Sequence, residues 1–127
     1  MTDTNDRIAA LTARMLKKKL YVVLSMPLDG GGDKLPMHLP AHLEYMIANE
    51  KKGIVFASGP LSEADGTQRG RGLTVLRAAS VEEARAIAAQ DPFVINGVRT
   101  FELREWTVME GSFGVTVNFS DQSMTVV

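Results

Sequence analysis

The order in which apolar runs and amphipathic stretches follow one another limits the folds open to this chain. Between about residues 20 and 108, four apolar runs are separated by two amphipathic stretches, in the order β-α-β-β-α-β. The first run, 20–26, stops at Pro27, and the last, 98–108, alternates with a period of two residues. This order favours an antiparallel ferredoxin-like sheet with both helices on one face. The sequence therefore predicts an α+β fold of the ferredoxin-like class.

Local signals predict where each element begins and ends. Pro40 suits the first position of a helix, whereas the glycine-rich stretch 29–34 is typical of a mobile loop. Ser80 and Glu83 form a capping box that begins a helix, and Pro92 stops that helix. The predicted helices are 4–19, 40–52 and 81–90, the predicted strands are 20–26, 54–58, 73–79 and 98–108, and 62–72 is predicted to be a long hairpin loop.

Two segments lie outside this core of about residues 20–108. Residues 1–19 predict an added N-terminal helix that ends on Lys17, Lys18 and Lys19, where positive charge is favoured. Residues 111–127 alternate apolar and polar side chains around a turn at 120–121, which predicts an added C-terminal hairpin. The length of 127 residues fits one domain, so we treat 1–127 as a single unit with two additions.

One face of the predicted sheet needs a cover that this chain does not supply. In the last strand, Thr100, Glu102, Arg104 and Trp106 point away from the helices, together with alternate residues of the apolar first strand. A second subunit that stacks on this face would remove the apolar residues from water. We therefore predict a homodimer.

Composition and charge exclude several classes of function. The 14 basic residues nearly balance the 15 acidic ones, so there is no broad positive field for nucleic acid or an anionic membrane. Cysteine is absent, which excludes disulfides, thiolate catalysis and Cys-ligated metals. No run approaches 18 apolar residues, and the first residues lack an apolar signal core. We predict a soluble, cytoplasmic protein without nucleic-acid or membrane partners.

Two residues stand out as candidates for acid–base chemistry. His42 is predicted in the first turn of the helix begun by Pro40, where the helix dipole favours the neutral imidazole that a general base requires. A core histidine bonded to the backbone is the alternative. Asp91 is predicted at a helix C-terminus, the unfavourable end for a carboxylate. Either an Asx-type turn compensates, or Asp91 holds His42 in one tautomer.

The remaining motifs carry weaker signals. Ser58, Gly59 and Pro60 end a predicted strand, where glycine allows a ligand to approach the backbone and where a simple turn is the alternative. His38 precedes His42 by four residues, but it is predicted to lie before the helix, and no third ligand is evident, so we predict no metal. Arg71 lies in a short Arg-Gly stretch that fits a solvated hairpin or a basic loop closing on a small carboxylate. No Walker loop or dinucleotide fingerprint occurs, and we expect no cofactor.

Taken together, several short motifs resemble the YciI-like (YCII-related) family from about Leu20 to Val108. The motifs are His42-Leu-Glu-Tyr-Met46, Ser58-Gly-Pro-Leu61, Asp65-Gly66, Ser80-Val-Glu-Glu-Ala84 and Ala89-Gln-Asp-Pro-Phe93, followed by Gly97 and Trp106. The resemblance implies a dimeric α+β barrel made of two ferredoxin-like units. It also implies an active site around His42 with Asp65, while the Asp-Pro-Phe motif of the family matches Asp91, Pro92 and Phe93.

The resemblance also implies a class of reaction. The family includes a dehydrochlorinase of chlorinated hydroxyquinol breakdown, and muconolactone isomerases are structural relatives. We therefore expect a cofactor-independent lyase or isomerase in which His42 removes a proton next to a carbonyl of a small lactone or hydroxyquinol-type ring. Asp91 or Asp65 would orient the imidazole or return a proton. The residues expected to bind substrate are Ser58, Gly59, Pro60, Phe93 and Arg71.

A second function stays open at this stage. The chain could instead be a non-catalytic dimeric module that binds a small molecule or accompanies a signalling partner through the added helix and tail. A pocket lined by His42 and an aspartate favours the enzyme, whereas a histidine without access to a cavity favours the module.

Overall fold

The computed structural model describes residues 2–127, which form two compact units. One unit is Lys19–Thr107, and the other joins the chain up to Lys18 with Val108–Val127. None of the helices described is both long and apolar enough to cross a membrane. The helices are α1 (Thr2–Thr12), α2 (Gly31–Lys51), α3 (Val81–Ala89) and α4 (Pro92–Ile95), and the strands are β1 (Lys18–Pro27), β2 (Val55–Ser62), β3 (Gln68–Leu76), β4 (Arg99–Val108), β5 (Val115–Asn118) and β6 (Ser123–Val126).

The larger unit has the predicted ferredoxin-like sheet. Its strand order is β2-β3-β1-β4, which places β1 and β3 in the centre. β3 pairs antiparallel with both β1 and β2, and Tyr21 lies opposite Leu76 in the central pair. The buried core joins one face of the sheet to α3, and its members are Tyr21, Val23, Leu76, Ala84, Ala88 and Leu103. The prediction of an α+β fold with an antiparallel sheet is confirmed.

Helix α2 begins much earlier than the sequence suggested. The stretch 29–34, predicted to be a mobile loop, contains its first turn, and both Pro36 and Pro40 lie inside the helix. Proline lacks the N–H that a helix interior uses and usually marks a boundary, which is why Pro40 was a misleading signal. His42 is consequently in the middle of α2, so the argument from the helix dipole was wrong. His38 lies in the same helix, not before it.

Close packing explains why glycines begin this helix. Gly30 adopts a left-handed conformation, with φ of 75°, immediately before the first turn. Gly31 is buried, and a Cβ at this position would overlap the carbonyl oxygen of Val98. That oxygen accepts a hydrogen bond from the Leu28 N–H at 3.0 Å. Only glycine lets the start of α2 lie this close to the backbone that leads into β4.

The β2–β3 hairpin is tighter than predicted. β2 continues through Gly59 and Pro60 to Ser62, and β3 begins at Gln68, so the long loop expected at 62–72 shrinks to a short turn. Proline is tolerated because β2 is an edge strand, where a missing N–H breaks no ladder. Gly70 and Gly72 therefore lie within β3, and β3 ends at Leu76, before the predicted end at residue 79.

The structure confirms the capping box and corrects the environment of Asp91. The Ser80 hydroxyl accepts a hydrogen bond from the Glu83 N–H at 3.1 Å, and α3 ends at Ala89. Asp91 follows α3, but it is the N-cap of the one-turn helix α4, which the sequence did not predict. A carboxylate at a helix N-terminus is favourable, and Asp91 Oδ1 accepts from the Phe93 N–H two residues further on, which is the Asx-type turn that the sequence offered as one explanation.

The smaller unit contains α1 and the C-terminal hairpin. α1 ends at Thr12, not at residue 19, and the Thr12 hydroxyl donates to the Ile8 carbonyl in its last turn. Lys18 and Lys19 begin β1, so the prediction that the lysines end the helix was wrong. The predicted hairpin is present, with Val115 opposite Val126.

Candidate active site

A histidine and an aspartate from distant parts of the chain form a close pair. His42 comes from the middle of α2 and Asp91 from the turn between α3 and α4. The Nδ1 of His42 lies 2.8 and 2.9 Å from the two carboxylate oxygens of Asp91. The side chains are only 13% and 14% exposed, so water competes little for this contact. Of the two aspartates considered from sequence, the structure brings Asp91 to the imidazole.

The geometry fixes the tautomer of His42. An ionised carboxylate only accepts hydrogen bonds, so Nδ1 must donate, and in the neutral ring the lone pair is then on Nε2. Asp91 is itself held, since Oδ1 also accepts from the Phe93 N–H at 2.9 Å as the cap of α4. No hydrogen bond from residues 2–127 reaches Nε2 of His42. In the neutral ring, the pair therefore has an unprotonated nitrogen at Nε2 and a fixed carboxylate at Nδ1.

Phe93 supports both His42 and a further residue, Arg99. The His42 and Phe93 rings are stacked, with centroids 4.2 Å apart and planes 16° from parallel. The Arg99 guanidinium lies over the Phe93 ring, with Cζ 4.6 Å from its centroid. Phe93 itself is 1% exposed. This stack limits the rotation of the imidazole and places a cation in the same site.

His42 faces an open cleft between α2 and strands β2 and β3. The cleft has a volume of about 820 Å³, within the range of sites that hold small molecules. Most of its lining is apolar and comes from Leu35, Leu39, Leu43, Met46, Ile47, Val55, Phe56 and Pro60. The polar residues of its wall are His42, Glu50, Ser58, Gln68, Arg71, Thr74 and Arg99. Such a site suits a small, largely apolar ring that carries a few polar groups.

The structure brings all five residues predicted to bind substrate to this cleft. Ser58, Gly59, Pro60, Phe93 and Arg71 all line it. The Ser58 hydroxyl is 2.7 Å from the Thr74 hydroxyl on the neighbouring strand. Arg71 donates from Nε to Glu63 at 3.0 Å.

Asp65, in contrast, is at the tip of the β2–β3 hairpin and does not line the cleft. Its carboxylate accepts hydrogen bonds from the Thr67 N–H and hydroxyl, which hold the pKa of Asp65 below its usual value. Within this unit it makes no hydrogen bond to His42, although the family resemblance implied a place for it in the active site.

Sequence reasoning missed Arg99. Burial lowers the pKa of its guanidinium, while the negative charge of Asp91 raises it. The sequence signal for Arg99 was weak, because an arginine at the start of a predicted strand is usually solvated. The residues next to it in the fold, Gly70 and Gly72, belong to the stretch interpreted from sequence as a solvated hairpin or a basic loop. The backbone carbonyl of Gly70 accepts from Arg99 Nε at 2.9 Å.

Tyr45 lies on the same helix as His42, three residues further on. Its hydroxyl donates to the Ile87 carbonyl at 2.7 Å and so links α2 to α3. Burial raises the pKa of Tyr45, and the negative charge of Asp91 adds to this effect. Within residues 2–127, no group of three or more His, Asp or Glu side chains is arranged to hold a metal ion.

Fold and site together define a ferredoxin-like α+β protein with a histidine–aspartate pair on the wall of an open cleft. The model of the YCII-related domain matches residues 19–107, and the chain therefore belongs to the YCII-related family. The family resemblance predicted from sequence is confirmed. No curated protein matches the chain.

A solved structure shares the fold. It is the 5-chloro-2-hydroxyhydroquinone dehydrochlorinase of Burkholderia phenoliruptrix in complex with 2,5-dihydroxybenzoquinone. The two proteins are 20% identical, with a TM-score of 0.60, and the match covers 69% of this chain and 93% of the other.

Proposed function

We propose that this protein is a cofactor-independent lyase or isomerase that removes a proton from a carbon next to a carbonyl group in a small ring compound. The observation that carries the proposal is the His42–Asp91 pair, whose histidine lines a mostly apolar cleft. A general base needs a lone pair at the site of reaction and a fixed orientation. The Asp91 carboxylate supports the orientation, and the cleft supports access for a substrate.

In the proposed reaction, Nε2 of His42 accepts the proton from the carbon. The electrons of the broken C–H bond move toward the carbonyl, and its oxygen becomes an enolate. Asp91 stabilises the imidazolium that forms, because its carboxylate accepts from Nδ1. A base and electrostatic stabilisation of the oxyanion are sufficient for this step, so the proposal requires neither metal nor redox cofactor.

The enolate can react further in two ways, and these distinguish a lyase from an isomerase. In a dehydrochlorination, the electron pair returns from the enolate oxygen, a C=C bond forms, and chloride leaves while the proton stays on His42. In an isomerisation, His42 returns the proton to another carbon of the ring. Ser58 and Gly59, which line the cleft opposite α2, are the residues we expect to steady the oxyanion.

The proposed substrate class is a lactone or a hydroxyquinol-type ring. The shared fold of the dehydrochlorinase named above, which acts on a chlorinated hydroxyhydroquinone, supports this class by analogy. The volume of about 820 Å³ and the apolar lining are also suitable for a single substituted ring. Pro60 and Phe93 would contact the ring, and Arg71 its polar substituents.

We also propose that two copies of the chain pair through the sheet face opposite the helices. Phe101 and Leu103 of β4 point into the core, so the residues between them point the other way. On that other face Trp106 is 44% exposed, more than is usual for a tryptophan without a partner. Sedimentation analysis of the wild type and a Trp106→Glu variant tests this: the proposal predicts a dimer that the variant dissociates.

Turnover with matched histidine variants tests the proposed activity. Wild type, His42→Asn and His38→Asn are incubated with lactones, chlorolactones and chlorinated hydroxyquinols, and products are followed by mass. His38 lies in the same helix but does not line the cleft, so His38→Asn controls for general damage to α2. Conversion by the wild type and His38→Asn alone supports the proposal. Conversion by His42→Asn as well would remove His42 as the base.

A non-catalytic binding module is the second candidate. It is supported by the exposed apolar residues of the C-terminal hairpin, such as Val117 and Met124, which are 50% and 68% exposed. This candidate predicts that ring compounds bind in the cleft without being converted by any of the three proteins.

A further inference from the structure

The charged groups on the wall of the cleft differ in whether they have a partner of opposite charge. His42 is paired with Asp91, and Arg71 with Glu63 at 3.0 Å. Arg99 forms no salt bridge with any carboxylate among residues 2–127. It is nevertheless half-buried, and partial burial of a guanidinium without a charged partner costs free energy.

Arg99 is held in place by contacts that leave its terminal nitrogens free. Nε donates to the Gly70 carbonyl at 2.9 Å, and the guanidinium plane lies over Phe93. A Cβ on Gly72 would come within 3.3 Å of a terminal nitrogen, so the missing side chain makes room for the group. Of the five N–H donors of arginine, only the one on Nε has an acceptor within residues 2–127. The others are available to a ligand in the cleft.

The stack on Phe93 relates Arg99 to the proposed base. Both groups pack on the Phe93 ring, with the imidazole centroid 4.2 Å and the Arg99 Cζ 4.6 Å from the ring centroid. The centres of the imidazole and the guanidinium are thus separated by no more than those two distances together. A single substituted ring is long enough to contact both groups across the edge of Phe93.

From this arrangement we infer that Arg99 binds a carboxylate on the substrate, so that the natural substrate is a ring acid rather than a neutral ring. The inference deepens the proposed function and rests on it. A guanidinium presents parallel N–H groups that match the two oxygens of a carboxylate. A carboxylate bound to Arg99 would hold the ring near His42, where a C–H of the ring can approach the imidazole. Arg99 is therefore a specificity-determining residue of the cleft.

A comparison of an acid with its neutral amide tests the inference without any turnover. The probes are 2-hydroxybenzoate and 2-hydroxybenzamide, which have the same shape and differ in charge. Binding is followed by the ¹H–¹⁵N signal of Arg99 Nε, which its bond to Gly70 protects from exchange, and assigned by loss of that signal in Arg99→Met. The acid is expected to bind at least about tenfold more tightly, equivalent to about 1.4 kcal/mol.

Matched variants separate charge recognition from damage to the fold. Arg99→Met is expected to abolish the preference for the acid. Binding of the two probes to each variant is measured by calorimetry. Arg69→Met removes an arginine of the β2–β3 hairpin that does not line the cleft, and this variant is expected to keep the preference for the acid. Gly72→Ala retains the charge but places a Cβ 3.3 Å from a terminal nitrogen of Arg99, so it should weaken binding of the acid and leave binding of the amide unchanged. This variant keeps the test decisive if Arg99→Met does not fold.

Three results would overturn the inference. They are equal binding of acid and amide by the wild type, an unchanged preference in folded Arg99→Met, and no binding of either probe at millimolar concentration. The preference should persist in His42→Asn, because binding needs no base. A preference for the acid without turnover would thus contradict the proposed function alone, and turnover of neutral rings only would contradict this inference alone.

Discussion

Replacing Asp91 by asparagine changes the chemistry of the histidine pair while it preserves the shape of the site. The side-chain oxygen of asparagine can still accept from the Phe93 N–H and cap α4. Its nitrogen, however, is a donor and would face Nδ1 of His42. Oδ1 also lies 2.8 Å from Nδ1, but it already accepts from the Phe93 N–H. The nearby amide N–H group therefore favours the imidazole tautomer in which Nδ1 accepts and the proton is on Nε2. The variant is therefore expected to hold the wrong tautomer for a base.

The magnitudes follow from the contacts. A charge-assisted hydrogen bond contributes about 1.5–3 kcal/mol and a neutral one about 0.5–1.5, so Asp91→Asn should lower the stability of the fold by only about 1 kcal/mol. A protein of this size would then melt roughly 3–6 °C lower. Any activity should fall much further, by about 10²–10⁴-fold, because the lone pair on Nε2 is lost.

The tautomer can be read directly from the ring nitrogens of His42 by long-range ¹H–¹⁵N NMR. In the wild type, Nδ1 is expected to carry the proton, and in Asp91→Asn it should be Nε2. Asp65→Asn is the matched comparison: Asp65 bonds to Thr67 in the hairpin turn, so this variant should leave the tautomer of His42 as it is. An unchanged tautomer in Asp91→Asn, or a changed one in Asp65→Asn, would refute the assignment of Asp91 as the partner.

Three further predictions concern the scaffold that holds the site. Gly31→Ala should cost at least about 2 kcal/mol in unfolding free energy, because the new Cβ overlaps the Val98 carbonyl, whereas Gly32→Ala, with open space around it, should change stability by less than about 1 kcal/mol. Ser80→Ala should cost about 1 kcal/mol by denaturant titration, since the cap of α3 is lost. Tyr45→Phe should cost about 1 kcal/mol near pH 7. Since the folded pKa of Tyr45 is raised, the stability that its protonated hydroxyl provides is complete below the unfolded pKa of about 10 and is lost as pH rises above it, and this alkaline loss should shrink in Tyr45→Phe.

Much of the fold follows from short-range signals in the sequence. Period-two alternation in β4 and the capping box at Ser80 depend on local geometry, and both were predicted correctly. The errors arose where packing overrides local preference. Pro36 and Pro40 lie inside α2, and Gly59 and Pro60 continue an edge strand. In each case, contacts between distant segments stabilise a conformation that the local residues alone disfavour.

The candidate site, too, could be predicted from the sequence only in part. His42 and Asp91 could be selected by residue type and family motif, but their contact joins segments 49 residues apart, which no local pattern reveals. Arg99 escaped notice because its role depends on Phe93 and on the space that Gly72 leaves open. Residue types indicate candidate site residues, and the fold determines which of these residues come into contact.

The transfer of a proton to His42 is the central claim, and deuterium incorporation tests it most directly. A ring compound that the wild type converts would be incubated in D₂O with wild type, His42→Asn and His38→Asn, and exchange at the carbon next to the carbonyl followed by NMR. We predict that the wild type and His38→Asn introduce deuterium and that His42→Asn does not. The deuterium is expected at that carbon of the remaining substrate, where the imidazolium returns a proton to the enolate, or at the second carbon of an isomerised product. Equal incorporation by His42→Asn, or conversion by the wild type without any breaking of that C–H bond, would contradict the account.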